Sequence, residues 1–438
     1  MKISSIHLRC FICIALGIIS LLIVIPKALP QDSYKLKASA KGELCLKCHE
    51  PFQETLKRPY LHPLLKTGEC TGCHTPHTSD HDRLLTSDIT RLCINCHQAV
   101  LPEKPKSVHP VVYENQCKNC HDSHGSDNAF ILVRSGNQLC LECHKEINQI
   151  VTKAVFKHEP LRKDNGCLNC HVPHASTEQL FLLKDSPPAL CKTCHQTEQP
   201  VFTQKHQNYP VADSDCISCH DPHGSEIKGI LFANSHEPVK NKKCTECHQE
   251  SDSSAPLKIK KLGTSLCRQC HREMIERAFS KDRIHWPLVD SKGCLNCHAP
   301  HGAKQKKLLN GLTLTVCGKC HSDTVELQAW SKKNPKNKKL CEPVKTGNCI
   351  SCHAPHSSDN ILLFARTSIN AELCGECHEW QSHSTHPIGD KVIDQRNKNL
   401  TLDCLSCHKG CGTGNKPSML HYELTEELCI QCHTDRKR

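Results

Sequence analysis

Apolar positions in this chain come in short bursts separated by polar, turn-forming stretches. Pairs such as Leu84-Leu85 and Leu308-Leu309 each follow a run rich in Ser, Thr, Asp or Gly. Such runs are too short for long helices and predict short helices, much irregular coil and little or no sheet. The exception is the N-terminus, where Lys2 and Arg9 precede an apolar run from Cys10 to Ile25 that Pro26 and Lys27 end. This reads as an export signal within residues 1–30. The first small-x-small site, Ala38-Ser39-Ala40, lies well downstream, so both removal of the segment and its retention as a membrane anchor stay open. No other stretch is apolar enough to cross a membrane.

A period of about fifty residues runs through the rest of the chain, and each unit holds two copies of Cys-x-x-Cys-His. Of the 36 cysteines, 32 fall in sixteen such motifs. The first four comprise Cys45, Cys48 and His49; Cys70, Cys73 and His74; Cys93, Cys96 and His97; Cys117, Cys120 and His121. Next come Cys140, Cys143 and His144; Cys167, Cys170 and His171; Cys191, Cys194 and His195; Cys216, Cys219 and His220. They continue with Cys244, Cys247 and His248; Cys267, Cys270 and His271; Cys294, Cys297 and His298; Cys317, Cys320 and His321. The last are Cys349, Cys352 and His353; Cys374, Cys377 and His378; Cys404, Cys407 and His408; Cys429, Cys432 and His433. One motif of each unit is usually preceded by Leu, as in Leu139-Cys140, and the other usually ends in His-x-Pro-His, as from His171 to His174.

Two thiols and an adjoining His at this spacing suit covalent haem attachment, with thioethers to the vinyl groups and the imidazole on the iron. Zinc knuckles, redox dithiols and disulfide frameworks do not need His after every second Cys. The expected cofactor is sixteen haems c. Only 4% of residues are aromatic, so the macrocycles are expected to supply the core that the side chains cannot. A formal charge of +11 would otherwise suggest nucleic acid. Here haem propionates, roughly −32 if all ionise, outweigh it, and no nucleic-acid partner is expected.

Candidate sixth ligands occupy two slots. Eight to ten residues before a motif stand His62, His109, His158, His206, His236, His285 and His421, with His386 ahead of a longer loop. Three residues after a motif His stand His77, His124, His174, His223, His301 and His356. Histidines of the second slot cannot easily reach their own iron and are expected to ligate a neighbour. Cys341 fills the first slot before Cys349, and Cys411 fills the second after His408. Thiolate ligation by both is one reading; a disulfide, or idle thiols with His81 and His383 completing the ligand set, is the other. Cys10 and Cys13 lack a following His and read as apolar filler.

The alternating motifs from Leu44 to His433 resemble the doubled CxxCH family of multihaem cytochromes, which includes the periplasmic cytochromes of porin-cytochrome conduits. The chain is also similar in style to cytochromes that polymerise into wires. The resemblance implies short helices and coil around a stacked haem chain, and low-potential electron transfer along it. With all faces filled, the protein would be an exported electron carrier, periplasmic, extracellular or held at a membrane, in anaerobic respiration or extracellular electron transfer. Its partners would be redox proteins: a cytochrome or quinol-linked donor, and an outer-membrane conduit or reductase as acceptor. A multihaem sulfur- or nitrogen-oxyanion oxidoreductase and a structural filament subunit are the competing functions. The motif order suggests nine motifs in 31–248 and seven in 264–438, with 249–263 as a candidate linker.

Overall fold

The computed structural model describes residues 42–163, 165–333, 340–379, 386–413, 416 and 419–436. The expected export segment with Cys10 and Cys13, and the surplus His383, lie outside them.

Each Cys-x-x-Cys-His is one turn of helix. In fifteen motifs the His amide donates to the carbonyl of the first Cys at 2.9–3.1 Å, and the remaining His271 lies inside the helix Thr264–Phe279. This four-residue bond puts the first thiol and the imidazole on one face, as attachment to a single flat macrocycle requires. Beyond that turn the two kinds of motif diverge. The kind preceded by Leu, or by Val at Cys317, runs on into the longest helices among the described residues: α1, Lys145–Lys153, after His144; α2, Thr264–Phe279, bent at His271; and α3, Ser322–Lys333, after His321.

The other kind turns back on itself. Its His forms a β-bridge to an apolar residue 11 or 12 positions on: His74 to Leu85, His121 to Leu132, His171 to Leu183, His220 to Leu231, His298 to Leu309 and His353 to Phe364. A serine in the intervening polar stretch fixes the reversal. Ser176 and Ser358 donate Oγ–H to the carbonyls of Leu183 and Phe364 and accept amides of Glu178 and Asn360. The residue pair at the tip has left-handed backbone, at φ 58° and 54° for Arg83 and Leu84, 59° and 50° for Phe130 and Ile131, and 56° and 57° for Phe181 and Leu182. Such φ values are costly for side chains with a Cβ, more so for a β-branched one. Gly229 stands at the equivalent place in one repeat, at φ 78°. Phe181 is 79% exposed and packs on little protein. Phe181→Pro, which cannot reach positive φ, should therefore lose about 1–3 kcal/mol, as chemical denaturation of the holo-protein would measure.

The described chain divides into two compact units, 42–139 with four motifs and 140–436 with twelve. The division thus falls inside the nine-motif array. Residues 249–260, part of the expected linker, form the turn of the Cys244 motif within the second unit: His248 bridges Ile259, and the Gln249 amide donates to the Lys258 carbonyl.

Among the described residues sheet is limited to two-stranded pieces. In the first unit Tyr60–Leu61 pairs antiparallel with Gly125–Ser126. In the second unit Asn234–Ser235 pairs with Gly302–Ala303, Arg283–Ile284 with Ser357–Ser358, and Ile393–Asp394 with Asn397–Thr401. Ten apolar residues are buried among the described residues, Ile275, Val316, Leu340 and Phe364 among them, and all lie in the second unit. No large side chain is fully buried among the described residues.

Candidate functional site

The left-handed turns have a use beyond reversal. The carbonyl of the strained residue accepts the Nδ1–H of the motif histidine: His74 donates to Arg83 at 2.9 Å, His121 to Phe130 at 2.9 Å, His171 to Phe181 at 3.0 Å, His298 to Lys307 at 2.9 Å and His353 to Leu362 at 2.8 Å. His220 does the same to Gly229 at 2.7 Å, and His248 to Leu257 at 2.8 Å. With Nδ1 occupied, the tautomer is fixed and Nε2 carries the free lone pair.

The first-slot histidines are oriented in the same way. His158, His236 and His285 donate Nδ1–H to the carbonyls of Pro222, Pro300 and Pro355 at 2.9, 3.0 and 2.9 Å. Each acceptor is the proline of a His-x-Pro-His sequence more than sixty residues downstream. The small ladders bring them together: the amides of His62, His236 and His285 donate to the carbonyls of His124, His301 and His356. A proline one or two residues after each of these three histidines starts a short turn of helix, and the extended histidine sets its direction.

These devices bring motif and slot histidines ring to ring. Motifs of the Leu-preceded kind, with the Val316-Cys317 motif among them, meet first-slot residues: His97 with His62 at 6.2 Å between ring centres, His195 with His158 at 6.1 Å, His271 with His236 at 6.1 Å, His321 with His285 at 6.3 Å and His433 with His386 at 6.2 Å. Motifs of the other kind meet second-slot residues: His74 with His124 at 6.1 Å, His171 with His223 at 6.4 Å, His248 with His301 at 5.9 Å and His298 with His356 at 6.1 Å. His206 instead faces His220 of the motif just after it, at 6.2 Å. Two imidazoles on opposite faces of one iron, each bound through a nitrogen about 2 Å away, have ring centres about 6.2 Å apart. The residues present therefore fit a bis-imidazole haem.

Burial pushes His62, His124, His158, His171, His220, His301 and His356 below the usual imidazole range, favouring the neutral form that binds metal. One pair has a carboxylate behind it. His223 donates Nδ1–H to the buried Asp221 at 3.0 Å. Burial would raise that carboxyl, but His223 and Lys304 hold it below the usual range. Such a carboxylate strengthens an imidazole as a donor.

The attachment thiols are grouped as well. In every pair of motifs the two first cysteines are hydrogen-bond neighbours: Cys45 and Cys70, Cys93 and Cys117, Cys140 and Cys167, Cys191 and Cys216, Cys267 and Cys294, Cys317 and Cys349, Cys374 and Cys404. Between successive pairs the second cysteines face each other, as Cys73 does Cys96, Cys170 does Cys194, Cys247 does Cys270, Cys297 does Cys320 and Cys352 does Cys377. Within each unit the motifs thus follow one another in space as they do in sequence.

His109 heads the helix Pro110–Tyr113 in the extended conformation of His62 and His236. His421 sits against the Cys404 motif, with Nε2 2.9 Å from the Leu405 carbonyl. Among the described residues His49 and His77 join no pair at this separation, and the exposed His81 is bound only through its amide to Ser79. The Nδ1 acceptors were missed in the sequence because they are backbone carbonyls; the recurrent nine- or ten-residue interval from the motif His to an aliphatic pair was their signal.

The family described as the doubled CXXCH motif matches residues 62–100, 109–149, 158–200, 208–235, 236–276, 285–326 and 342–383. Together these segments exceed half of the chain. Repeats of this kind, each presenting paired thiols beside an oriented imidazole, define a multihaem c-type cytochrome, a protein that binds haem c covalently and transfers electrons. The chain belongs to the doubled CXXCH family. No curated protein matches it.

Proposed function

We propose that the protein is an exported electron carrier with sixteen haems c, four in the first unit and twelve in the second, most of them closed by two histidines. The observation that carries this reading is the set of ten motif and slot rings at 5.9–6.4 Å. Haem iron supplies a one-electron couple when bound. The chain holds the imidazoles neutral, orients Nε2 through Nδ1, and leaves no coordination position for a substrate at those pairs. Transport needs no acid or base residue, and the sequential order of motifs gives each macrocycle close neighbours.

The donors and acceptors are redox proteins: a cytochrome or quinol-linked donor, and an outer-membrane conduit or reductase. The setting is anaerobic respiration or extracellular electron transfer, with the N-terminal apolar segment directing export. Intact mass and pyridine haemochrome analysis should return sixteen haems per chain, and the reduced protein should be inert to carbon monoxide at the ten paired sites. Rapid binding at those sites would instead support an oxyanion oxidoreductase.

A further inference from the structure

The ring pairs obey two spacings. A Leu-preceded motif His mostly meets the first-slot residue 35 to 37 positions before it, as His271 meets His236 and His195 meets His158. A motif His of the other kind meets the second-slot residue 50 to 58 positions after it, as His74 meets His124 and His298 meets His356. In the second unit His353 and His378 depart from this pattern: among the described residues neither faces a histidine ring. Counting 37 positions back from His378 leads to Cys341, and counting 58 forward from His353 leads to Cys411.

Both cysteines are built into these slots. Cys341-Glu342-Pro343-Val344-Lys345 matches His236-Glu237-Pro238-Val239-Lys240 at every position but the first. Cys341 has φ −61° and ψ 144° and heads the helix Glu342–Thr346; His236 has φ −62° and ψ 140° and heads Glu237–Lys240. The next turn closes identically, Asn348 amide to Pro343 carbonyl and Lys243 amide to Pro238 carbonyl, both at 2.7 Å. Cys341 lies near Cys377, which adjoins His378, and Cys411 lies near Cys349, the first cysteine of the His353 motif. Cys352 has Cys341, Cys411 and Cys377 around it. Neither Cys341 nor Cys411 is in a disulfide.

We propose that Cys341 and Cys411 are the sixth ligands, as thiolates, of the irons held by His378 and His353 respectively. This rests on the reading of these motifs as loaded haem sites. On ligation the thiol proton goes to solvent and an Fe–S bond forms, with no change of oxidation state. Iron stabilises the thiolate against the cost of burial. Because Cys352 and Cys377 adjoin, the two sites are consecutive, and an anionic ligand on each stabilises the ferric state relative to the bis-imidazole neighbours.

Low-temperature EPR of the oxidised holo-protein tests the assignment. The expected spectrum contains a low-spin component with the narrow anisotropy of a His/thiolate haem, corresponding to two of the proposed sixteen. Cys341→His and Cys411→His should each convert half of that component to a bis-histidine signal without loss of haem mass. Alkylation of the denatured, unreduced protein should label both thiols. Absence of the component, its survival in the double His variant, or failure to label because the two form a disulfide would overturn the proposal. Intact mass counts the haems independently, so a haem count below sixteen and an absent thiolate signal are separate results.

Discussion

Made without haem attachment, the chain is expected to stay unfolded, with a far-ultraviolet circular dichroism spectrum of coil and no cooperative thermal transition. Ordering each residue costs backbone entropy that buried apolar surface normally offsets. Among the described residues only ten apolar ones are buried, none of them in the first unit, and no large side chain is fully buried. Phe130 and Phe181 are left 82% and 79% exposed beside the motif histidines they serve. The missing apolar mass is the macrocycle, so folding and attachment form one process, as in small domains that fold on their metals. A cooperative unfolding transition in protein made without the attachment machinery would sink this account.

Replacing His301 by Ala is expected to open a single iron. The partner of His301 is His248, at 5.9 Å between ring centres, and the other histidine beside it, His236, is already paired with His271. The scaffold should survive. The His301 carbonyl that accepts the His236 amide is kept in alanine, and the adjoining ladder of Gly302–Ala303 on Asn234–Ser235 uses other residues. The reduced variant should therefore gain one carbon monoxide per chain and show one high-spin haem when oxidised, with haem content unchanged. His81→Ala, which removes an exposed histidine outside the ring pairs, is the control and should gain none. A His301→Ala protein that remains wholly low-spin and inert would refute the pairing of His301 with His248.

How much of this could be read from the residues varies with how local each feature is. The Cys-x-x-Cys-His turn closes its own hydrogen bond within five residues, so its spacing alone identified it. The two slots were visible because they sit at fixed short distances from motifs, as His62 does before Cys70 and His124 after His121. Which slot serves which motif was hidden, because it depends on ladders joining distant residues: His285 reaches its place through the His356 carbonyl and the Pro355 acceptor. His206 shows the limit of repeat logic. Alignment puts it with the other first-slot residues, yet it faces His220 only 14 positions on, because the lone Cys244 motif is of the second kind and no Leu-preceded motif stands between to receive it. The polar stretches looked like simple loops; the tertiary structure gives Ser176 and Ser358 to the turn and the next carbonyl to the imidazole.

The interlock between repeats also imposes a timetable. A nascent chain appears N-terminus first, and the second imidazole for His74, His171, His248 and His298 lies 50 to 58 residues further on. Each of these sites must wait, half-made, for the following repeat to emerge. By contrast His97, His195, His271 and His321 find their partners already present. Maturation therefore advances in two steps per repeat, one site closing on a residue already made and the other waiting for a residue still to come. A chain cut short between one of these four motif histidines and its later partner leaves that site with a single imidazole and its iron open at the broken end.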